Sequence, residues 1–226
     1  MMALRTGAIV VAGPDRVAAA ELAISKGAAV ILSDDGLQHY RMRRDGEIAV
    51  MDEQRGTGNG LLLPAGPLRE PPSRLRLVDL LVRTRRNEGA AVSTSSSGSV
   101  TATMRMREAV SLVDGEQRPL TAFSGQPVHA IAAIGHPESF FAALRRQGLQ
   151  IVAHPFPDHA KLNLADITFD DAAPVLMTEK DAVKCRAFAR AGHWFVRVDL
   201  ELSDADAATL TQVVERAEQR FRETKQ

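Results

Sequence analysis

Residues 28–39 read AAVILSDDGLQH, and the fold turns on how this stretch is read. Ala28–Leu32 is apolar without interruption, so a strand built from it predicts burial on both faces. It runs into paired carboxylates, Asp34 and Asp35, followed by Gly36. Upstream, Ala8–Ala12 (AIVVA) is a second such run, closed by Gly13-Pro14. Between the two, Asp15 reads as an N-cap, Val17–Ile24 as a helix, and Gly27 as the residue that ends it. Strand, helix and strand in this order predict a parallel sheet joined by a right-handed crossover.

Composition narrows the class. The chain has 226 residues, 45% hydrophobic and 25% charged, which is globular rather than disordered. Lys+Arg and Asp+Glu both number 28, so no net charge draws it toward nucleic acid, and no nucleic-acid partner is expected. A single cysteine, Cys185, excludes a disulfide framework and fits a reducing compartment. No apolar stretch approaches the roughly 20 residues of a transmembrane helix. The amino terminus carries no cleavage-site pattern, and the chain reads as cytosolic or peripheral.

Further along, Glu47–Asp52 and Val78–Arg83 read as strands on either side of a long loop, Gly56–Pro72, with four Gly and four Pro. Gly89–Gly98 (GAAVSTSSSG) is the linker candidate. Thr101–Arg107 and Ala109–Val113, with Asp114-Gly115 after them, suggest a β-ribbon. A second series follows: strand Val128–Ile134, helix Pro137–Gln147 ended by Gly148, strand Gln150–Ala153, helix Leu164–Ala172 and strand Val175–Met177. Helix Lys180–Ala191, strand His193–Leu200 and a long amphipathic helix, Ala205–Glu223, complete it. The expectation is an α/β protein of two α/β/α lobes with mainly parallel sheets, residues 1–88 and 121–226. A linker with a two-stranded ribbon, residues 89–120, joins them.

Four segments carry chemistry. Asp34 and Asp35, at the carboxyl end of an expected central strand, are placed as a phosphoryl-transfer enzyme places the ligands of Mg²⁺. Gln38 and His39 lie on the turn beyond, within reach of phosphate or metal-bound water. Asp34 as a simple cap of that turn is the plainer reading, and the pattern alone leaves both open. In Gly58–Glu70 (GNGLLLPAGPLRE) the glycines permit close backbone approach, and Arg69 could grip a phosphate. From Arg69 to Arg86 there are six Arg against Glu70 and Asp79, a face suited to an anionic substrate, a membrane surface or plain solvent. In Phe156–His159 (FPDH), His159 beside Asp158 suits proton transfer or a loop hydrogen bond. Thr178 reads as a helix cap, whereas Lys180 sits in a first turn where the dipole disfavours cations. Cys185 reads as a small packed hydrophobe.

In order, the stretches VAGPDRVAAA, VILSDDGLQHYRMRRDGEIAVMD, GNGLLLPAGPLREP, HAIAAIGHPESFF, FPDH and LMTEKDAVKC resemble the tetraacyldisaccharide 4′-kinase family, the lipid A 4′-kinases of Gram-negative bacteria. The resemblance runs from about residue 5 to residue 200. It implies a P-loop-type kinase that moves the γ-phosphate of ATP to the 4′-hydroxyl of an acylated glucosamine disaccharide 1-phosphate. That step belongs to lipid A biosynthesis, at the cytoplasmic face of the inner membrane with peripheral membrane contact. It implies that SDDGLQH is the Walker B region, with Asp34 and Asp35 as Mg²⁺ and catalytic residues and Gln38 at the nucleotide. It implies that His159 orients a catalytic aspartate, and that Asn59, Arg69 and Glu70 meet the polar head of the lipid. A second histidine common in the family after FPDH is here Ala160. No G-x-x-x-x-G-K-[ST] occurs in the 226 residues. The resemblance places that loop, the catalytic aspartate and a membrane-contacting helix before the segment matching Leu4–Gly13. The expectation is a family member lacking its N-terminal third. The rival reading is an inactive remnant serving only as a weak nucleotide-binding or interaction module.

Overall fold

Residues 2–86 and 98–224 are described by the computed structural model. The chain divides into two units. One is Met2–Met104 with Leu200–Gln226, and the other spans Arg105–Asp199. The division differs from the expected boundaries at 88 and 120, and residues 89–97 of the linker candidate Gly89–Gly98 lie outside the described residues.

In the first unit, helix α1 (Met2–Thr6) precedes α2 (Arg16–Ser25). The Asp15 carboxylate accepts from the N–H groups of Val17 and Ala18, satisfying two otherwise unpaired donors at the start of α2. Gly27 follows at φ 94, as a C-terminal stop requires. Strands β1 (Ile48–Asp52), β2 (Leu80–Arg85) and the first half of β3 (Ser99–Ser111) are parallel, with Ile48 facing Leu80 and Leu81 facing Ser99. Buried Leu80, Val82, Val100 and Ala102 pack against Val213 of the long C-terminal helix α5 (Asp204–Thr224). Arg220 of α5 ties it to Asp79 at 2.7 Å. The C-terminal helix thus belongs to the unit that holds the N-terminus, because its Leu210–Val213 stripe matches an apolar sheet face remote in sequence.

Ala8–Ala12 and Ala28–Leu32 are not strands. Ile9, Val10, Val30 and Ile31 are exposed, and Leu32 is 87% exposed. An unbroken apolar run encodes burial on both faces, but a strand forms only where a neighbouring edge completes its ladder. Among the described residues none pairs with either run. Likewise only one face of β1–β3 is covered by α5, and Val50 on β1 is 67% exposed.

The second unit orders its strands β6 (Gln150–Pro155), β5 (Pro127–Ala132), β7 (Val175–Thr178), β8 (His193–Glu201) and β3. β5 is parallel to both β6 and β7, and β7 to β8. Side chains of β5 alternate between two cores. Val128, Ala130 and Ala132 meet Phe140, Phe141 and Leu144 of α3 (Pro137–Arg146), whereas Ile131 meets Met177, Ile167 and Cys185. Both faces are therefore covered, as an α/β layer requires.

The expected ribbon is rearranged. Thr101–Arg107 and Ala109–Val113 fall largely within one 13-residue strand, β3, and its antiparallel partner is the short β4 (Gln117–Pro119) across the Asp114-Gly115 turn. Leu164–Ala172 forms only a 3-10 turn at Ala165–Ile167, where Asn163 and Thr168 use their side chains on local backbone groups. Helix α4 (Glu179–Cys185) starts at the Thr178 cap and passes into a 3-10 turn at Arg186–Phe188, short of the expected Ala191.

Candidate active site

In the first unit the residues 33–40 form turns rather than the mouth of a strand. Asp34 and Asp35 are both exposed, so their expected seat at the end of a buried central strand is not what the structure holds. Asp35 takes φ 50, a left-handed conformation that Asp tolerates better than most side chains. A Cβ on Gly36 would stand 2.8 Å from Ser33 Oγ, so a side chain there would force Ser33 to shift.

What fixes this turn is a ladder of charges. Arg44 Nη1 donates to the carbonyls of Gly36 and Leu37 at 2.8 and 2.9 Å, and Arg44 Nε pairs with Glu47 at 3.0 Å. Arg74 bridges Glu47 at 2.6 Å and Glu70 at 3.2 Å. Gln38 Nε2 then donates to Glu70 Oε1 at 2.7 Å, closing the circuit. The Gln38 hydrogen bond, against desolvation, and with help from Tyr40 and Arg74, holds the Glu70 carboxyl below its usual value. The acidic turn and the glycine-proline loop, thirty-two residues apart at Gln38 and Glu70, are thereby brought together.

The loop itself is closed by its own backbone. Leu63 N–H donates to Leu68 O, and Leu68 N–H to Leu61 O. Asn59 serves as its clamp: Nδ2 donates to Ala65 O at 2.9 Å, and Oδ1 accepts from Leu61 N–H at 3.1 Å. A Cβ on Gly66 would collide with that Asn59 side chain and the Leu61 backbone. Asn59, expected at the substrate, is engaged on both sides of its amide in shaping the loop. Arg69 is exposed and free of a side-chain partner among the described residues.

In the second unit three parallel strands deliver their following residues to one edge: Gly135–Pro137 after β5, Phe156–His159 after β6 and Glu179–Asp181 after β7. Lys180 Nζ lies 3.5 Å from Asp158 Oδ1, which links the last two segments. Desolvation would raise the Asp158 carboxyl, but the charges of His159 and Lys180 outweigh it and hold it low. His159 adopts φ 60, its side chain is 74% exposed, and Nε2 is 3.8 Å from Asp158 Oδ2. The cation at the start of α4 thus has a carboxylate partner that its position in the helix did not reveal.

Two arrangements escaped the sequence reading. Asp181 is fully buried and accepts from Ala133 N–H, Thr178 Oγ1 and Lys184 Nζ, pinning the end of β5 to α4. His129 Nδ1 lies 2.9 Å from His154 Nε2, and His129 Nε2 lies 3.0 Å from Asp171, with Phe169 stacked on the His129 ring. The register pairs Ile131 with His154, which makes His129 its diagonal neighbour on the same sheet face. Nothing in local spacing signals that pair. Nearby, burial and the Asp181 charge push the Cys185 thiol up to about 11, which removes it as a nucleophile.

The architecture can now be set beside known proteins. The crystal structure of LpxK from Aquifex aeolicus in complex with ATP matches with a TM-score of 0.60 at 24% identity, covering 80% of this chain and 55% of that one. The fold is α/β with mainly parallel strands, as in that structure. Within this class the chain belongs to the LpxK family, tetraacyldisaccharide-1-P 4′-kinase, whose family model matches residues 1–217. The tetraacyldisaccharide 4′-kinase of Xylella fastidiosa (strain M23) is 50% identical over 206 residues, 89% of this chain and 59% of the relative. That of Nitrosococcus oceani is 45% identical over 218 residues, 96% of this chain and 62% of the relative. The chain thus spans about three fifths of the length of these curated relatives.

Proposed function

We propose that this chain serves as a tetraacyldisaccharide 4′-kinase, carrying the γ-phosphate of ATP to the 4′-hydroxyl of an acylated glucosamine disaccharide 1-phosphate at the cytoplasmic face of the inner membrane. The observation that carries the reading is the Gln38–Glu70 contact. It draws the acidic turn and the arginine-bearing loop of the family pattern into one site. Phosphoryl transfer is mostly positioning and charge stabilisation, so a site that joins metal-side and acceptor-side groups suits it.

The residues present suit Mg²⁺. Asp34 and Asp35 offer adjacent hard oxygen donors, exposed and held on a turn that Arg44 braces from behind. They are the groups that would hold the ion, which when bound offsets charge developing on the transferred phosphoryl. Arg69 is open to grip an anionic group of either substrate, and Glu70, kept ionised by Gln38 and Arg74, orders the loop beside it. His159, exposed on its left-handed turn and paired loosely with Asp158, serves as the proton-handling group of the second unit.

The test is transfer of labelled γ-phosphate from ATP to the disaccharide acceptor by the protein that carries residues 1–226, wild type against Asp35→Ala. A loss on the order of 10²-fold or more in the variant supports the reading. Unchanged transfer in the variant overturns it. A wild type that binds ATP without transferring phosphate would favour the nucleotide-binding module.

A further inference from the structure

The loop that carries Arg69 also presents three consecutive leucines to solvent. Leu61, Leu62 and Leu63 are 52%, 45% and 62% exposed. An extended segment ordinarily turns alternate residues inward, yet none of these three is buried. They are held outward by structure: the Leu62–Leu68 bridge, the hydrogen bonds from Leu63 N–H to Leu68 O and from Leu68 N–H to Leu61 O, and the Asn59 clamp. A rigid apolar tip of this kind marks a surface that meets another phase or partner.

We infer that Leu61–Leu63 form a prong that enters the apolar margin of a lipid bilayer, with Arg69 beside it contacting anionic headgroups. The inference rests on the reading above, which puts the acceptor in a membrane, and adds the segment that meets that membrane. Charge selects the occupant. Residues 56–77 hold Arg69, Arg74 and Arg76 against one acid, Glu70, which Arg74 and Gln38 already engage. Arg69 directly follows Leu68, the residue bridged to Leu62, so cation and apolar tip lie together. Basic residues beside exposed leucines are the pattern of interfacial binding. Another exposed apolar run, Val30–Leu32, leads straight into Asp34 and Asp35, a pair that an anionic surface repels. In the prong, by contrast, three exposed leucines stand beside an exposed arginine.

The test is co-sedimentation of the chain with vesicles of phosphatidylcholine alone or mixed with phosphatidylglycerol. Binding is expected to the mixed vesicles, weakening with added salt. Replacing all three leucines (Leu61→Ser, Leu62→Ser, Leu63→Ser) should lower partitioning about tenfold or more, and Arg69→Ala about fivefold. A single Leu62→Trp variant guards against misfolding of the triple one. Its emission should shift to the blue on mixed vesicles, against the constant background of Trp194, which is 6% exposed. Mixed-vesicle binding undiminished in the triple variant, or unshifted emission from the tryptophan variant, overturns the prong but leaves the membrane location standing. Absence of vesicle binding by the wild type overturns both. Neither result bears on phosphate transfer, which the Asp35→Ala assay reads separately.

Discussion

Glu70 illustrates how single contacts set the state of this site. Its carboxyl is held low first by the Gln38 amide and then, past desolvation, by Tyr40 and Arg74. Replacing Gln38 with Ala should let the Glu70 pKa climb back toward its ordinary value, read by carboxyl NMR titration; an unmoved titration would mean that Gln38 contributes nothing there. Some residue-scale features were legible in the sequence. The Asp15 cap, the Thr178 cap, Gly27 and Gly148 are local signals, and the chain obeys them because their partners lie within three residues. Gln38 to Glu70 is a different matter. The two are thirty-two residues apart and meet only because Arg44, Glu47 and Arg74 pull turn and loop together. No local pattern encodes that.

At the scale of elements, strands of the second unit carry their own evidence. Val128–Ile131, within the expected strand Val128–Ile134, is buried on both faces, because β6 and β7 flank β5 and helices cover it. Ala28–Leu32 has the same pattern and stays out of any sheet, since pattern specifies burial but not the presence of a pairing edge. The 13-residue β3 misled in another way. Thr101–Arg107 and Ala109–Val113 read as two ribbon segments, although Glu108 between them is a half-buried position within one strand, paired to Pro119 of β4. Where β5 and β6 run side by side, His154 meets His129, and the buried His154 carries a pH dependence. Burial, reinforced by the neighbouring His129, lowers the His154 pKa, and burial also lowers that of His193. The unfolded chain therefore binds more protons than the folded one just below the ordinary histidine value of about 6.5, so stability rises with pH there. It is complete above the unfolded value and declines as pH falls from about 6.5 toward the lower folded values. Melting temperature should drop by a few degrees, about 2–4 °C for each kcal/mol lost, between neutral pH and pH near 5.5. In His154→Gln that slope should flatten, and a wild-type melting temperature constant across the window would contradict the buried-histidine account.

Across the whole molecule, the chain closes its first unit with its last helix. Val213 is 3% exposed against Leu80, Val82, Val100 and Ala102, so an aspartate there would place an unpaired charge in that core. Val213→Asp should speed hydrogen exchange of Leu80–Arg85 and Val100–Thr103 while leaving β5 protected; uniform loosening of both units would show that they unfold as one. The central claim, however, concerns the site. It holds that the Asp34–Asp35 turn and the Arg69–Glu70 loop form a single metal-and-anion site. Mn²⁺ added in place of Mg²⁺, together with ATP, tests this directly by paramagnetic broadening of backbone amide signals. Residues 34–38 and 69–70 should broaden together, and Asp34→Asn with Asp35→Asn should abolish the effect. Broadening centred elsewhere, or reaching the acidic turn without the loop, would contradict the account.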